Sequence, residues 1–338
     1  MSALIVDWLG RGGIAQCTHA MTEVLQHDSH TTVVTVAARE LDGRHVVGVE
    51  SGGNRLRRHR QLAVHAADEI RHRRPDVVIV QNYVIPPIER IVHQAAIDVG
   101  ARLVTVVHDH RLHSPFAGTS KGLASLLERA DTVVAHSNYV AERLPVAGGS
   151  DVRVLPLPVP PEYHADGEPV VTPRHGLLAL HFGVLKRQYK GTDLVERLAA
   201  AGVDGWELAV VGVGAPTGVT GLTGVARFVT AGELAASVSA AHAVLLPYAH
   251  GSQSAAVSLA QARGTVPVAS AVGGIPEQIE DGVTGFLVPA GAGDDEWSRV
   301  LERLRDDELR ARMGDACRER SALDQAEFEA GLRDLVHA

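Results

Sequence analysis

The sequence predicts an α/β protein made of two domains, each built on a parallel β-sheet with helices on both faces. Three observations lead to this prediction. Short runs rich in Val, Ile and Leu alternate with amphipathic segments along the whole chain, as in buried parallel strands joined by helices. The length of 338 residues suffices for two domains of ordinary size. A stretch dense in proline interrupts the alternation near the middle.

The predicted strands form two series. In the first half they are ALIVDW (3–8), TTVVTVA (31–37), DVVIVQ (76–81), RLVTVV (102–107), DTVVAH (131–136) and VRVLP (152–156). In the second half they are LLALHFG (177–183), WELAVVG (206–212), AVLLPY (243–248), VPVAS (266–270) and GFLVP (285–289). Helical segments lie between most of these runs, so each series predicts one Rossmann-like domain.

The proline-rich stretch 156–176 is the best linker candidate because it has little periodicity. We therefore expect an N-terminal domain at 1–160, a linker at 161–175 and a C-terminal domain at 176–320. The charged segment 321–338 is expected to be a helix that could pack back on the N-terminal domain. Open α/β sheets bind ligands beyond the carboxyl ends of their strands, so the two domains would face each other across a deep cleft.

Composition excludes several classes of protein. The formal charge of −8 argues against nucleic acid as a partner, and Cys17 and Cys317 lack the spacing of a disulfide framework or a metal site. No signal peptide is evident, and no apolar stretch reaches about 18 residues, so we expect a cytoplasmic protein. The arginine-rich segment 55–75 allows at most peripheral contact with anionic lipid, and a solvated helix face explains the same charges.

Two glycine clusters follow predicted strands. GRGGIAQ follows the first strand, and Gly12 and Gly13 would let backbone N–H groups approach an anion at a helix start. A structural tight turn explains the same glycines. The second cluster is AVGGIPEQIEDGVTGFLVP (271–289), in which Gly273 and Gly274 come directly after a strand.

The stretch HGSQSAAVSLAQARG (250–264) predicts a helix with a polar start and an apolar body. Residues 234–276 contain no carboxylate, although acidic residues normally offset the positive end of a helix dipole. We interpret this helix start as a phosphate site. An ordinary neutral N-cap by Ser252 or Ser254 is the alternative.

Basic and histidine-rich segments follow two further strands. Lys186, Arg187 and Lys190 come after the strand that ends at HFG, where cations would stabilise negative charge on a leaving diphosphate; an exposed solvated turn is the alternative. Another strand ends in His108 and Asp109, followed by His110 and His113. No closed ligand set is evident among these four, so no metal is expected.

These segments together resemble the GT-B retaining glycosyltransferases of family 4 (group 1). GTVPVASAVGGIPEQIEDGVTGFLVP is similar to the family's GTPVVAS-x-VGGIPE-x-V-x-DGVTGFLVP almost residue by residue, and WELAVVGVG resembles the family's strand that follows the basic segment 181–194. In the first half GGIAQ, VVHDHRLHSP and ADTVVAHSNYVAERL resemble the family's glycine loop, HD turn and ADxVVxxS segment. The resemblance implies a GT-B fold and a nucleotide-diphosphate sugar as donor.

The resemblance also implies roles for individual residues. His108 corresponds to the active-site histidine at the sugar, with Asp109 as its neighbour, and Arg187 and Lys190 to the basic pair on the diphosphate. Because this loop is about one residue longer than usual, Lys186 could replace Arg187. The implied donor-binding residues are Gly12, Gly13, Lys186, Val229, His250, Gly251, Ser252, Gln253, Ser254, Gly273, Gly274 and Ile275.

One departure from the family pattern concerns the donor. The family has two glutamates eight positions apart, one for the donor sugar and one for the ribose. Here those positions are Gly251 and Leu259, or Ser252 and Ala260 when the alignment is made on Pro267. A deoxyribonucleotide has no 2′-hydroxyl, and a sugar that lacks a hydroxyl does not need the first glutamate. We therefore expect an unusual donor, such as a dTDP-linked deoxy or modified sugar.

The resemblance thus implies a retaining glycosyltransferase that needs no metal, no other cofactor and no protein nucleophile. Its leaving phosphate would accept the proton of the acceptor, an unknown small molecule or glycan such as a natural-product precursor. Two alternatives stay open. The chain could be a catalytically degenerate family member that binds nucleotide or glycan, or a pseudo-glycosyl transferase that couples a cyclitol.

Overall fold

The computed structural model describes residues 1–10, 12–27, 30–36, 46–50, 53–81, 85–110, 119–146, 150–164, 167–185 and 190–337. The chain divides into two compact units. The first comprises Met1–Pro158 together with Ala326–Ala338, and the second comprises Val159–Gln325. Lys186, Arg187 and His113, which the sequence singles out, lie outside the described residues.

The first unit is an α/β unit with a parallel sheet. Its elements are β1 (Ser2–Asp7), α1 (Gly12–Gln26), β2 (His30–Val36), β3 (Val46–Val49), α2 (Arg55–Arg73), β4 (Val77–Gln81), α3 (Pro86–Val99), β5 (Arg102–Val107), α4 (Thr119–Leu127), β6 (Thr132–Ala135), α5 (Asn138–Ala141) and β7 (Asp151–Val154). The strand order is β3-β2-β1-β4-β5-β6-β7. Every residue of the central strand β4 is buried, as expected for a sheet covered on both faces.

The second unit repeats this architecture. After a 3₁₀ turn at Pro161–His164 come β8 (Leu177–Phe182), α6 (Thr192–Ala201), β9 (Trp206–Val211), β10 (Leu222–Val225), α7 (Ala231–Ala240), β11 (Ala243–Leu246), α8 (Ala255–Ala262), β12 (Val266–Ser270), α9 (Ile275–Gln278), β13 (Phe286–Val288), α10 (Asp294–Arg303) and α11 (Asp307–His337). The parallel sheet has the order β10-β9-β8-β11-β12-β13. Strand order therefore reverses between β8 and β11, and in the first unit between β1 and β4.

All eleven predicted strands are present, and β3 and β10 are additional. Both additional strands have four residues, include a glycine and lie at a sheet edge, so they are too short to show a period of two. The segment 161–175, predicted as a linker, belongs to the second unit, because Tyr163 and Val171 are buried in its core.

Two helices bury apolar side chains in the core of the first unit. On α2, within the arginine-rich segment, Leu62 and Ile70 lie in the core and the basic side chains Arg58 and Arg71 are exposed. The last part of α11 places Phe328 in the core of the same unit. Among the helices that the structure describes, none combines the length and apolar character needed to cross a membrane.

Candidate functional sites in the two units

The predicted donor residues of the second unit lie where its strands end. Lys190 follows β8, Val229 follows β10, residues 250–254 follow β11 and residues 273–275 follow β12. The loops after β8 and β11 flank the point where strand order reverses. Open α/β sheets bind their ligands at this position.

Lys190 is held between these two loops. Its Nζ donates a hydrogen bond of 2.9 Å to Tyr248 Oη and lies 4.1 Å from the centroid of the Tyr248 ring. Tyr248 is buried in the core of the second unit, so the ring is a fixed support. Gly191 has φ +67°, and a Cβ on it would lie 1.8 Å from Pro247 O. Glycine therefore lets the two loops approach closely enough for this contact.

A glutamine from another helix fastens the start of α8. Ser254 is the N-cap residue, but its side chain makes no capping hydrogen bond. Its N–H instead donates to Gln278 Oε1 at 2.7 Å, and Gln278 Nε2 donates to Ser254 O at 3.2 Å and to Ser258 Oγ at 3.3 Å. The alternative of self-capping by Ser254 is therefore not what the structure shows. Gln278 was missed because it lies at a variable position of the motif.

The glycine cluster after β12 contacts the loop after β11 through the backbone. Gly274 N–H donates to Gly251 O at 3.3 Å, and Gly273 has φ +57°. Ile275 is fully buried and its N–H donates to Val272 O, so Ile275 packs in the core of this unit. The remaining implied contacts are His250, which is exposed, and Ser252, Gln253 and Val229, which are half-buried.

The positions of the missing glutamates differ in burial. Leu259 and Ala260 are 1% and 0% exposed and belong to the hydrophobic core. Gly251 and Ser252 are half-buried. Under either alignment, the position of the second glutamate is therefore occupied by an apolar side chain in the core.

In the first unit, Gly12 and Gly13 begin α1. Gly12 has φ +65°, but a Cβ added to either glycine meets no atom of the described residues within 4 Å. A tight turn therefore accounts for Gly12 and not for Gly13. Asp7 supports this turn, since its Oδ1 accepts the N–H groups of Leu9 and Gly10, both at 2.8 Å. This role of Asp7 was not predicted from the sequence.

His108 is half-buried just after β5. Its Nε2 lies 2.7 Å from Gln81 Oε1 at the end of β4, and its ring centroid is 4.9 Å from that of His136. Burial, reinforced by His136, lowers the pKa of His108 well below its usual value. A neutral imidazole at neutral pH can donate a hydrogen bond from one nitrogen and accept at the other.

Buried histidines make stability depend on pH. Burial lowers the pKa of His93 to about 3, and those of His136 and His181 to about 4. The unfolded value is about 6.5, so the unfolded chain binds more protons below that pH. The contribution of these histidines to the free energy of unfolding is therefore fully retained above pH 6.5. It is lost as the pH falls towards 4, by about 1.4 kcal/mol per pH unit for each histidine.

We expect His93→Leu to reduce this acid slope by the contribution of one histidine, measured by urea unfolding between pH 6.5 and 4. His93 is 0% exposed in α3, and leucine at this position does not bind a proton. The control is His72→Gln, since His72 is exposed on α2. An acid slope of His93→Leu equal to that of the wild type would contradict the prediction.

The chain matches two sequence families along its length. Residues 11–163 match Glycosyltransferase Family 4, and residues 176–307 match Glycosyl transferases group 1. A D-inositol 3-phosphate glycosyltransferase of Streptomyces avermitilis is 32% identical over 231 residues, which are 59% of this chain and 47% of the relative. The same-named protein of Streptomyces coelicolor is 31% identical over 235 residues, 59% of this chain and 51% of the relative. The chain thus spans about half the length of these relatives.

Solved structures confirm the predicted fold. Anabaena HepE in complex with UDP-glucose superimposes with a TM-score of 0.73 at 15% identity, covering 100% of this chain and 98% of HepE. The sucrose-phosphate synthase of Thermosynechococcus elongatus gives 0.74 at 17% identity, covering 99% and 97%. Identities this low establish the fold alone, which is of the GT-B type with two parallel-sheet α/β units.

Proposed function

This chain belongs to the group 1, family 4 glycosyltransferases, and on that premise we propose that it is a retaining, metal-independent transferase. It would move a sugar from a nucleotide diphosphate to a small-molecule or glycan acceptor. One observation carries the proposal: Tyr248 holds Lys190 where the loops after β8 and β11 meet, and the second of these loops leads into α8, whose first turn has no acidic residue. A fixed ammonium group and a helix N-terminus both favour a phosphate-bearing ligand.

The proposed reaction exchanges one bond at the sugar's C1. The bond from C1 to the diphosphate oxygen breaks, and the acceptor oxygen bonds to C1 on the same face. The leaving phosphate oxygen takes the proton of the acceptor hydroxyl. Lys190 stabilises the charge that builds on the diphosphate. His108, as a neutral imidazole, offers a hydrogen bond to a sugar hydroxyl.

The apolar position in α8 supports an unusual donor. Leu259 and Ala260 lie in the core, so neither can accept a hydrogen bond from a ribose hydroxyl as the family's glutamate does. A dTDP-linked deoxy or modified sugar removes the need for this acceptor. The name of the relatives, D-inositol 3-phosphate glycosyltransferase, makes a phosphorylated cyclitol the first acceptor to assay.

Thermal unfolding with UDP, dTDP, GDP and ADP, each with and without Mg²⁺, tests the donor site. A nucleotide at about 100 times its Kd adds about 2.7 kcal/mol, a shift of a few degrees. We expect dTDP to give the largest shift, with no dependence on Mg²⁺. The variant Lys190→Ala should shift less with the same nucleotide because it lacks the ammonium contact.

A panel of sugar donors then distinguishes the candidate functions. Turnover with a clear preference for UDP-glucose or GDP-mannose would overturn the proposal of an unusual donor. The proposed glycosyltransferase activity would stand. A nucleotide-dependent shift without turnover on any acceptor favours the degenerate binding protein, which the core position of Leu259 also suits. Transfer of a non-sugar cyclitol from its nucleotide diphosphate, in place of a sugar, favours the pseudo-glycosyl transferase. The absence of any nucleotide shift would overturn the donor site itself.

A further inference from the structure

A cluster of sulfur and imidazole groups lies near the carboxyl ends of the central strands in the first unit. Cys17 on α1, His108 after β5 and His136 after β6 each offer one ligand atom, and the three atoms all lie within 4.8 Å of one another. Within the residues that the structure describes, this is the one group of three cysteine, histidine or carboxylate side chains that converges in this way. Spacing along the chain gives no hint of it, since three separate elements supply the ligands.

One pair of atoms in the cluster has the spacing of metal ligands. His136 Nδ1 donates to Leu155 O at 3.0 Å, so Nε2 carries the lone pair. That Nε2 lies 3.6 Å from Cys17 Sγ. In a tetrahedral zinc site, with bonds of about 2.3 Å to sulfur and about 2.0 Å to nitrogen, the sulfur and nitrogen ligands are also about 3.6 Å apart. A backbone carbonyl that orients the second ring nitrogen is typical of metal-bound histidine.

A second sulfur lies beside the cluster. Met21 is one helical turn beyond Cys17 on α1, on the same face. Gln81 Nε2 contacts both sulfurs, at 3.6 Å from Cys17 Sγ and 2.9 Å from Met21 Sδ. Thiolate, imidazole and thioether groups select Zn²⁺ or Cu⁺ over Mg²⁺ and Ca²⁺, which prefer oxygen ligands.

We propose that Cys17, His108 and His136 form a binding site for a thiophilic cation, Zn²⁺ or Cu⁺. On binding, the S–H bond of Cys17 breaks, a bond from Sγ to the metal forms and the proton passes to solvent. Each imidazole donates a lone pair from one ring nitrogen. The half-buried His108 gives the cation its access, and Met21 Sδ shares the contact of Gln81 Nε2 with Cys17 Sγ.

Thiolate formation makes binding measurable as proton release. An ordinary cysteine thiol is protonated at pH 7, and a metal binds the thiolate. Each bound cation therefore releases one proton from Cys17.

The test uses the full chain after reduction and treatment with a chelator. We expect one Zn²⁺ per chain in competition with a chromophoric chelator, one proton released per Zn²⁺, and a thiolate-to-cobalt absorption band with Co²⁺. Cys17→Ser should weaken binding by about 100-fold or more and abolish the band. Cys317→Ser removes the other buried cysteine, in the second unit, and should bind as the wild type does. If Cys17→Ser does not fold, His136→Asn tests the same prediction.

Two further arms separate the outcomes. Met21→Leu should weaken Cu⁺ binding and leave Zn²⁺ binding unchanged if Cu⁺ is the preferred cation. Because His108 is also the proposed sugar ligand, bound cation should inhibit transfer reversibly; this arm alone rests on the proposed function. Equal affinities of wild type and Cys17→Ser, or no stoichiometric binding, would overturn the inference. If the chain binds Zn²⁺ tightly but transfers no sugar when it is free of metal, the inference stands and the proposed function is overturned.

Discussion

Lys190→Ala is expected to lower kcat for sugar transfer by about 10²- to 10³-fold, with a smaller change in KM. Charge on the leaving diphosphate grows towards the transition state, so the ammonium contact is worth more there than in the bound donor. Tyr248 holds this ammonium group through its hydroxyl and its ring, so the charge is in place before the reaction begins. Steady-state kinetics at saturating donor, with circular dichroism to confirm folding, measure the effect.

Two variants serve as comparisons for Lys190→Ala. Lys121→Ala removes an exposed lysine on α4 of the first unit and should leave kcat unchanged. Tyr248→Phe keeps the ring and removes the hydroxyl, so it should lower kcat by less than Lys190→Ala does. Turnover of Lys190→Ala within threefold of the wild type would remove Lys190 from the reaction and direct attention to Lys186 and Arg187.

Gly191→Ala is expected to lower the free energy of unfolding by about 4 kcal/mol or more, or to prevent the second unit from folding. The added Cβ would lie 1.8 Å from Pro247 O at a φ of +67°, so it meets both a steric overlap with backbone and an unfavourable left-handed conformation. Relief requires the loops after β8 and β11 to separate. Circular dichroism with urea or heat measures the loss.

A glycine in the first unit supplies the control. Gly100, at the end of α3, has φ +75° in the same left-handed region, yet a Cβ on it meets no atom of the described residues within 4 Å. Gly100→Ala therefore shows the conformational cost alone, about 1 kcal/mol. The difference between the two variants measures the close approach of the loops. Equal losses would show that the overlap at Gly191 is relieved by a small movement.

Much of the second unit could be predicted from particular residues. The apolar runs predicted β8, β9, β11, β12 and β13, because a strand buried on both faces must be apolar throughout. Gly273 was singled out by its place directly after a strand, and it has the positive φ that favours glycine. Lys190 was predicted as a candidate from its place after a strand, whereas its hydrogen-bond partner Tyr248 was not, since nothing in the apolar run around Tyr248 marks an acceptor.

The sequence by itself determined the two α/β units, the carboxyl-end placement of the candidate residues and the absence of a carboxylate from 234–276. These features follow from local periodicity and residue type. Only the tertiary structure decided that Gln278, rather than a serine, fastens the start of α8, and that Cys17, His108 and His136 converge. Such contacts join residues about 20 to 120 positions apart, and their existence depends on strand order and register, which local patterns do not encode.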